Sequence, residues 1–413
     1  MNEAKNYRKS YLEDDFFYEA KSYEDFVEAA QFIESVTLPI PMNLRDTALY
    51  YYNGINQDGK LCYYEVAPGI ESERVAASTD SLPVRKLKMD SLKEVPAAAV
   101  QHLSEHNLMM IVGTKVFFMS EQSIPSANQR AKCDCEFFNK NSLVRALAIR
   151  ESIDRFLDFD VVSITRIKGK LRKVFYVGSK DYTYIPETTM IDVIEACKRE
   201  RNESLEFVTA KFQQDYTDVI LKFDEVGKRI KTKYKKDLTP AIMISSSSTG
   251  KGKFYVRSIW LRGNHYVIED EYSKVHRGKF DVDKELGKAM EKIFPDFFVF
   301  PEKLLELEMQ DVTTTLMDET TAEEAYRDAV KKVFMTLELT NIVGQKGKSK
   351  ILSEFYNSYN PSIQYTMYDI IELFLDLPAR CTGLDRARTV SLQKACGKAV
   401  YTDYSRSNIT ILP

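Results

Sequence analysis

Apolar positions recur along this chain with two periods, and the switches between them mark out its elements. Phe26, Ala29, Ala30 and Ile33 stand at helical spacing behind Ser22, which can cap the first turn with Asp25 three residues on. Residues 1–36 therefore read as an N-terminal helical segment, ended by Pro39 and Pro41. Alternating, aromatic-rich runs then predict strands: TALYYYN and KLCYYEV around an Asp-Gly turn, LMMIVGTKVFFM, DVVSITRIKG with LRKVFYVGS, YTYIP, and a β-like region over 205–223. Among them lie a short helix at 96–106, an amphipathic helix at 141–157 with Ala146, Ile149, Ile153 and Phe156 on one stripe, and a helix over 188–199.

A helix with the stripe Phe223, Val226, Ile230 and Tyr234 comes next and is broken at Pro240. Two strand-like runs then flank a small polar turn at 245–252, and HYVIED completes a meander. From residue 280 the pattern is helical. Val282, Leu286, Ala289 and Ile293 form one stripe, Pro301 can open the next helix, and Ala322, Tyr326, Ala329 and Val333 form another, with Thr320 and Glu323 spaced as a capping box. A lysine-bearing loop is expected at 344–350. Thr366 and Asp369 can cap a helix with Met367, Ile370, Ile371 and Phe374 inward, and a last helix spans 384–398. The expected fold is α+β: the segment 1–36, a mainly antiparallel sheet packed by helices over 37–279, and a helical C-terminal subdomain over 280–413.

Composition narrows the function classes. With 413 residues, 44% hydrophobic and 29% charged, the chain can bury a substantial core. Its 58 basic and 61 acidic side chains leave a formal charge of -3, so no global field draws it to nucleic acid or an anionic membrane, and any such binding must be local. No apolar run approaches the ~20 residues that cross a bilayer, and the first residues lack the apolar core of a signal peptide, so a cytoplasmic protein without a membrane partner is expected. The six cysteines are scattered. Only Cys133 and Cys135 are close, and no second pair or histidines at ligand spacing accompany them, so they read as buried thiols, and neither metal nor cofactor is expected.

The densest local charge lies within 228–262. Lys228, Arg229, Lys231, Lys233, Lys235 and Lys236 crowd the end of a helix. Beyond the turn, Lys251, Lys253, Tyr255 and Arg257 share one strand face, while Phe254, Val256 and Trp260 share the other. Lys228, Arg229, Lys231, Lys235, Lys251, Lys253, Tyr255 and Arg257 are thus the expected nucleic-acid surface, the cations contacting phosphates rather than reading bases. The turn SSSSTGKGK is not a phosphate-binding P-loop: the opening glycine is missing, Gly252 stands where Ser or Thr is needed, and a strand follows. It reads as a solvated hairpin tip.

Other constellations are weaker. His102, Glu105 and His106 match the inverted zincin pattern, but the helix stops at the second histidine and no third ligand identifies itself, so a solvated helix end is expected. Asp158 and Asp160 share a strand face without a third acid and read as edge carboxylates. Tyr50, Tyr51, Tyr52, Tyr63 and Tyr64 read as cross-strand packing rather than a base-stacking platform.

The succession PAIMISSSSTGKGKFYVRSIWLRGN, HRGKF and QYTMYDIIELFLDLPARCTGLDRARTVSLQKACGKAV resembles the phage- and plasmid-encoded "phage/plasmid-like" uncharacterised-domain family. In that family a strand, a polar Ser/Gly turn and a second strand end near an Arg-hydrophobic-Cys-Asn segment, followed by a histidine-containing segment and a Thr-aromatic-Asp helix. This chain has Leu261, Arg262, Gly263 and Asn264 at the first place, without the cysteine, then His276, Thr366, Tyr368 and Asp369. The resemblance covers roughly the last two-fifths of the chain and implies a mobile-element origin without an established chemistry. Taken with the local charge, the expected function is nucleic-acid handling, as single-strand binding or annealing in recombination, with single-stranded DNA the favoured partner. An enzyme or host-directed inhibitor without a readable motif is the alternative, and a self-assembling structural phage protein a third.

Overall fold

The strands close into two sheets. A computed structural model describes residues 6–44, 47–55, 61–66, 84–86, 108–112, 115–130, 160–169, 171–200, 204–214, 216–249, 252–275, 281–293 and 296–404. In chain order they form α1 (Tyr7–Ser10), β1 (Phe17–Ala20), α2 (Tyr23–Val36), β2 (Thr37–Asn43), β3 (Thr47–Ile55), β4 (Leu61–Val66), β5 (Val84–Lys86), β6 (Leu108–Val112), β7 (Lys115–Met119) and α3 (Ser123–Arg130). There follow β8 (Asp160–Lys168), β9 (Leu171–Ser179), α4 (Thr189–Glu200), β10 (Glu206–Gln213), β11 (Thr217–Lys222), α5 (Asp224–Tyr234), β12 (Thr239–Ser246), β13 (Phe254–Arg262) and β14 (His265–Lys274). The rest is helical: α6 (Val282–Lys292), α7 (Val299–Glu308), α8 (Glu319–Thr336), α9 (Leu339–Tyr356), α10 (Met367–Leu375), α11 (Leu377–Arg380) and α12 (Arg386–Lys398). The fold is α+β with a helical C-terminal region.

One sheet has the order β2-β8-β9-β7-β6-β3-β4-β5, the other β1-β10-β11-β12-β13-β14. The pairs are antiparallel, except that β7 runs parallel to β9. The first thirty-six residues are not helix alone. Phe17–Ala20 adds an edge strand to β10, with Phe17 opposite Gln213. The Ser22 side chain accepts from the Asp25 N–H as expected, and Phe26, Ala29, Ala30 and Ile33 are buried. The helix ends at Val36, ahead of Pro39 and Pro41, as expected. They lie in β2, whose edge position lets a proline stand where no ladder donor is needed. In the first hairpin Tyr51 pairs with Tyr64 and Tyr52 with Tyr63.

The six-stranded sheet is covered on both faces. Its inner face gives Val219, Leu221, Ile242, Ile244, Phe254, Val256 and Trp260 to the main core, which also takes in α2, α5 and most C-terminal helices. Trp260 stacks on Phe300 with ring centres 4.7 Å apart and donates its indole N–H to Glu269 Oε2 at 2.9 Å. On the outer face Ile220, Ala241, Met243, Ile259 and Ile268 pack against Val390 of α12.

Three local expectations change. Residues 345–350 are helix within α9, which is two helical pieces joined across a kink at Gly344 (φ 74°), with Ile351 of the second piece buried in the core. The cap of α8 is Asp318, which accepts from the Thr321 N–H, so Thr320 and Glu323 lie inside the helix. The run YTYIP has a single bridge at Tyr182 and is otherwise irregular. The expected helices at 96–106 and 141–157 lie outside the described residues. No helix among the described residues is long and apolar enough to cross a membrane.

Candidate functional site

The structure divides the expected basic surface between the two faces of the six-stranded sheet. Val226, Ile230 and Tyr234 seat α5 on the inner face, and a Cβ at Gly227 would lie 2.7 Å from Thr239 Oγ1. Asp224 and Glu225 in the first turn favour the positive helix end. Lys235 ends the helix in the left-handed region (φ 56°) and returns its N–H to the Lys231 carbonyl. Lys228, Arg229, Lys231, Lys233 and Lys235 are all exposed on the outward side.

A groove of about 440 Å³ runs beside this helix, lined by Glu225, Lys228, Arg229, Thr232, Lys233 and Phe298. Arg229 Cζ lies 5.8 Å and Lys233 Nζ 5.3 Å from the centre of the half-buried Phe298 ring. Lys228 contacts Glu225 at 2.7 Å and Asp224 at 2.9 Å, and Lys231 contacts Asp237 at 2.9 Å. Hydrogen bonds to Glu225 and Asp224 push the Lys228 pKa up, so it stays charged. Exposed pairs of this kind are weak and screened by salt. Lys236 is different: it is buried on Glu308, with Nζ 3.3 Å from the Tyr368 ring centre.

Across the sheet, Lys253 is exposed and Tyr255 half-buried, but Arg257 is only 3% exposed. Its Nε donates to Glu271 Oε2 at 2.6 Å and its Nη1 to Ser245 Oγ at 3.0 Å, while Cζ sits 4.2 Å from the Tyr255 ring centre. Lys394 of α12 reaches Glu271 Oε1 at 2.8 Å. Burial works against ionisation of Glu271, but Lys394 and Arg257 outweigh it and hold its carboxyl below the usual range. Beside this pair Arg386 grips Asp218 with both Nη atoms and lies 4.0 Å over the Tyr216 ring. Tyr216 is 6.4 Å from Tyr255, and a Cβ at Gly252 would overlap its hydroxyl.

The expectation of an open basic strand face therefore fails at Arg257. α12 covers the outer face, and a guanidinium taken out of water must be paired. Residues 245–249 of the expected polar turn are all buried, and residues 250 and 251 lie outside the described residues.

Lys228, Arg229, Lys231 and Lys235 stay together on α5, while Lys253, Tyr255 and Arg257 lie on the opposite face. Lys251, the His102, Glu105 and His106 pattern, Cys133, Cys135, Asp158 and His276 lie outside the described residues. Asp160 is exposed and accepts from Asn43 Nδ2 at 2.9 Å. Among the described residues no group of three or more His, Cys, Asp or Glu is placed to hold a metal ion. Sequence reasoning missed Phe298, whose signal is the aromatic run before Pro301. It also missed Asp218, Glu271 and Arg386, which carry no local signal.

No family model matches the chain, and neither a curated protein nor a solved structure matches it. The functional reading rests on the chain's own geometry.

Proposed function

We propose that this is a nucleic-acid-handling protein, encoded by a phage or plasmid, which binds a single strand in the groove beside α5. The observation that carries this reading is Phe298, a half-exposed ring flanked by Arg229 and Lys233 on an open groove. An unpaired base stacks on such a ring with little regard to sequence, while cations along the helix take its flanking phosphates. A formal charge of -3 for the whole chain makes this local concentration the source of any affinity. Phe298→Ala should weaken oligonucleotide binding by roughly 1–3 kcal/mol, as loss of one stacked base does, and Phe298→Tyr should preserve it. Fluorescence anisotropy on single-stranded and duplex DNA checks both. Equal affinity of the alanine variant and the parent would remove the stacking role.

A second reading, an enzyme, is favoured by one observation: Asp218 and Glu271 lie on the same sheet face among Arg257, Arg386 and Lys394. Incubation with labelled nucleotides and DNA, followed by product analysis with Glu271→Gln as control, tests it. Product that persists in the variant would count against that centre.

A further inference from the structure

Phe298 stands at the start of α7, and the other end of that helix leads into a pair of loops with unusual exposure. Leu316 and Met309 are the two most exposed large apolar side chains among the described residues, at 95% and 77%, and Ile363 and Met317 follow at 48% and 36%. These loops are tied to each other. The N–H groups of Val312 and Thr313 both donate to the Tyr365 carbonyl, at 2.9 and 3.0 Å, and the Met367 N–H donates to the Gln310 carbonyl at 2.8 Å. The buried Thr313 hydroxyl accepts from the Tyr365 N–H at 2.7 Å. The rings of Tyr326, Tyr359 and Tyr365 pack together with centres 4.6, 5.3 and 5.7 Å apart and anchor the second loop to α8. This pairing sets Ile363, two residues before Tyr365, beside the turn at 314–317, where the Met317 N–H returns to the Thr314 carbonyl. Large apolar groups held in water by a bonded framework are the kind that a partner covers.

The charge around them has one sign. Residues 304–326 carry seven acidic side chains and no Lys, Arg or His, and residues 357–366 carry no charge at all. Glu306, Glu308 and Glu323 have cationic partners in Lys303, Lys236 and Arg327. Asp311, Asp318, Glu319 and Glu324 form no ion pair among the described residues. Burial and, after it, the charges of Glu319 and Glu323 push the Tyr359 phenol up, so this acidic rim reaches the second loop as well. Such a rim repels nucleic acid and anionic lipid and attracts cations.

We infer that the loops at 309–317 and 361–365 form a docking surface for a basic amphipathic segment of a partner protein. Its apolar face covers Leu316, Met317 and Ile363, and its lysines or arginines meet Asp311, Glu319 and Glu324. Unbranched methionine adapts to the shape of such a segment, and a helix supplies apolar anchors three and four residues apart with its cations on the other side. The surface is separate from the α5 groove, since the ten residues of α7 lie between Phe298 and Met309.

The test is fluorescence anisotropy of a labelled synthetic helix of about 18 residues, five turns, with leucines on one face and lysines on the other, titrated with the full chain. A companion peptide carries glutamates in place of the lysines. Both are compared on the parent, a Leu316→Ser/Ile363→Ser variant and an Asp311→Asn/Glu319→Gln/Glu324→Gln variant. Leu316 and Ile363 stand in water, so the serine variant should keep the parent's melting temperature. Saturable binding of the lysine peptide, weakened roughly tenfold or more by the serine variant, is the expected result. That binding should fall with salt in the parent and lose most of its salt dependence in the amide variant, and the glutamate peptide should not bind. No saturable binding of the lysine peptide, equal binding by the serine variant, or equal binding of the two peptides overturns the inference. So does an oligomer of the chain alone, seen by analytical ultracentrifugation and abolished in the serine variant, which would put a second copy on this surface.

Discussion

Gly397 brings α12 onto β14 so closely that a Cβ there would lie 2.1 Å from the Ile268 carbonyl oxygen. That oxygen belongs to a paired strand and cannot withdraw cheaply. Gly397→Ala should therefore cost about 1–3 kcal/mol by overpacking. Gly287→Ala, in α6 with nothing within 4 Å, should instead gain up to about 1 kcal/mol from helix propensity. Urea midpoints at constant m-value check the pair. Two carboxyls, the half-buried Glu271 and the buried Glu187, make opposite pH predictions. Glu271 is held below the usual range by Lys394 and Arg257 against the effect of burial, so its stabilisation is present above the unfolded value of about 4.3 and is lost as pH falls through its lowered value. Glu187 is pushed up by burial, only partly offset by Arg166, so folding favours its protonated form and stability falls as pH rises from about 4.3 through the raised value. Glu271→Gln should flatten the acid limb of a stability–pH profile, and Glu187→Gln the limb above it. Profiles of the two variants that superimpose on the parent's would contradict these assignments.

At the scale of elements, local chemistry was legible where a single rule decided the outcome. Thr366 and Asp369 form the capping box read from their spacing, and Ser22 caps α2. At α8 the expected cap was Thr320, but Asp318, two residues earlier, takes the role because its carboxylate accepts from both the N–H and hydroxyl of Thr321. Asp318→Ala should accordingly cost about 1 kcal/mol, whereas Glu323→Ala, which loses only an exposed pair with Arg327, should cost about half of that or less. Thermal melts distinguish the two; equal losses would restore Thr320 as the cap. Elements that depend on partners were less legible. β1 is a four-residue strand that pairs with β10, far along the chain, and β2 carries two prolines that a central strand would not tolerate. The helix through 345–350 was masked by Gly347, which reads locally as a breaker, whereas Gly344 does interrupt the helix.

For the whole molecule, the α+β class and the helical C-terminal region followed from periodicity, but the division into two sheets did not, since one strand pattern serves either arrangement. The same limit shaped the site. Alternation placed Tyr255 and Arg257 on one face correctly, yet α12, more than a hundred residues later, covers that face and turns a basic strip into a buried ion-pair network. Charge density along the sequence could not reveal that α5 and β13 present their cations to opposite sides of the sheet. The central claim is that the α5 groove binds single-stranded nucleic acid through its cations. Its most direct test is oligonucleotide affinity over a salt series for the parent and a Lys228→Gln/Arg229→Gln/Lys233→Gln variant. The account predicts affinity that falls with salt in the parent and a log–log slope shallower by about 2 in the variant, since each lost phosphate contact removes roughly 0.7. No salt-dependent binding by the folded parent, or an unchanged slope in the variant, would contradict it.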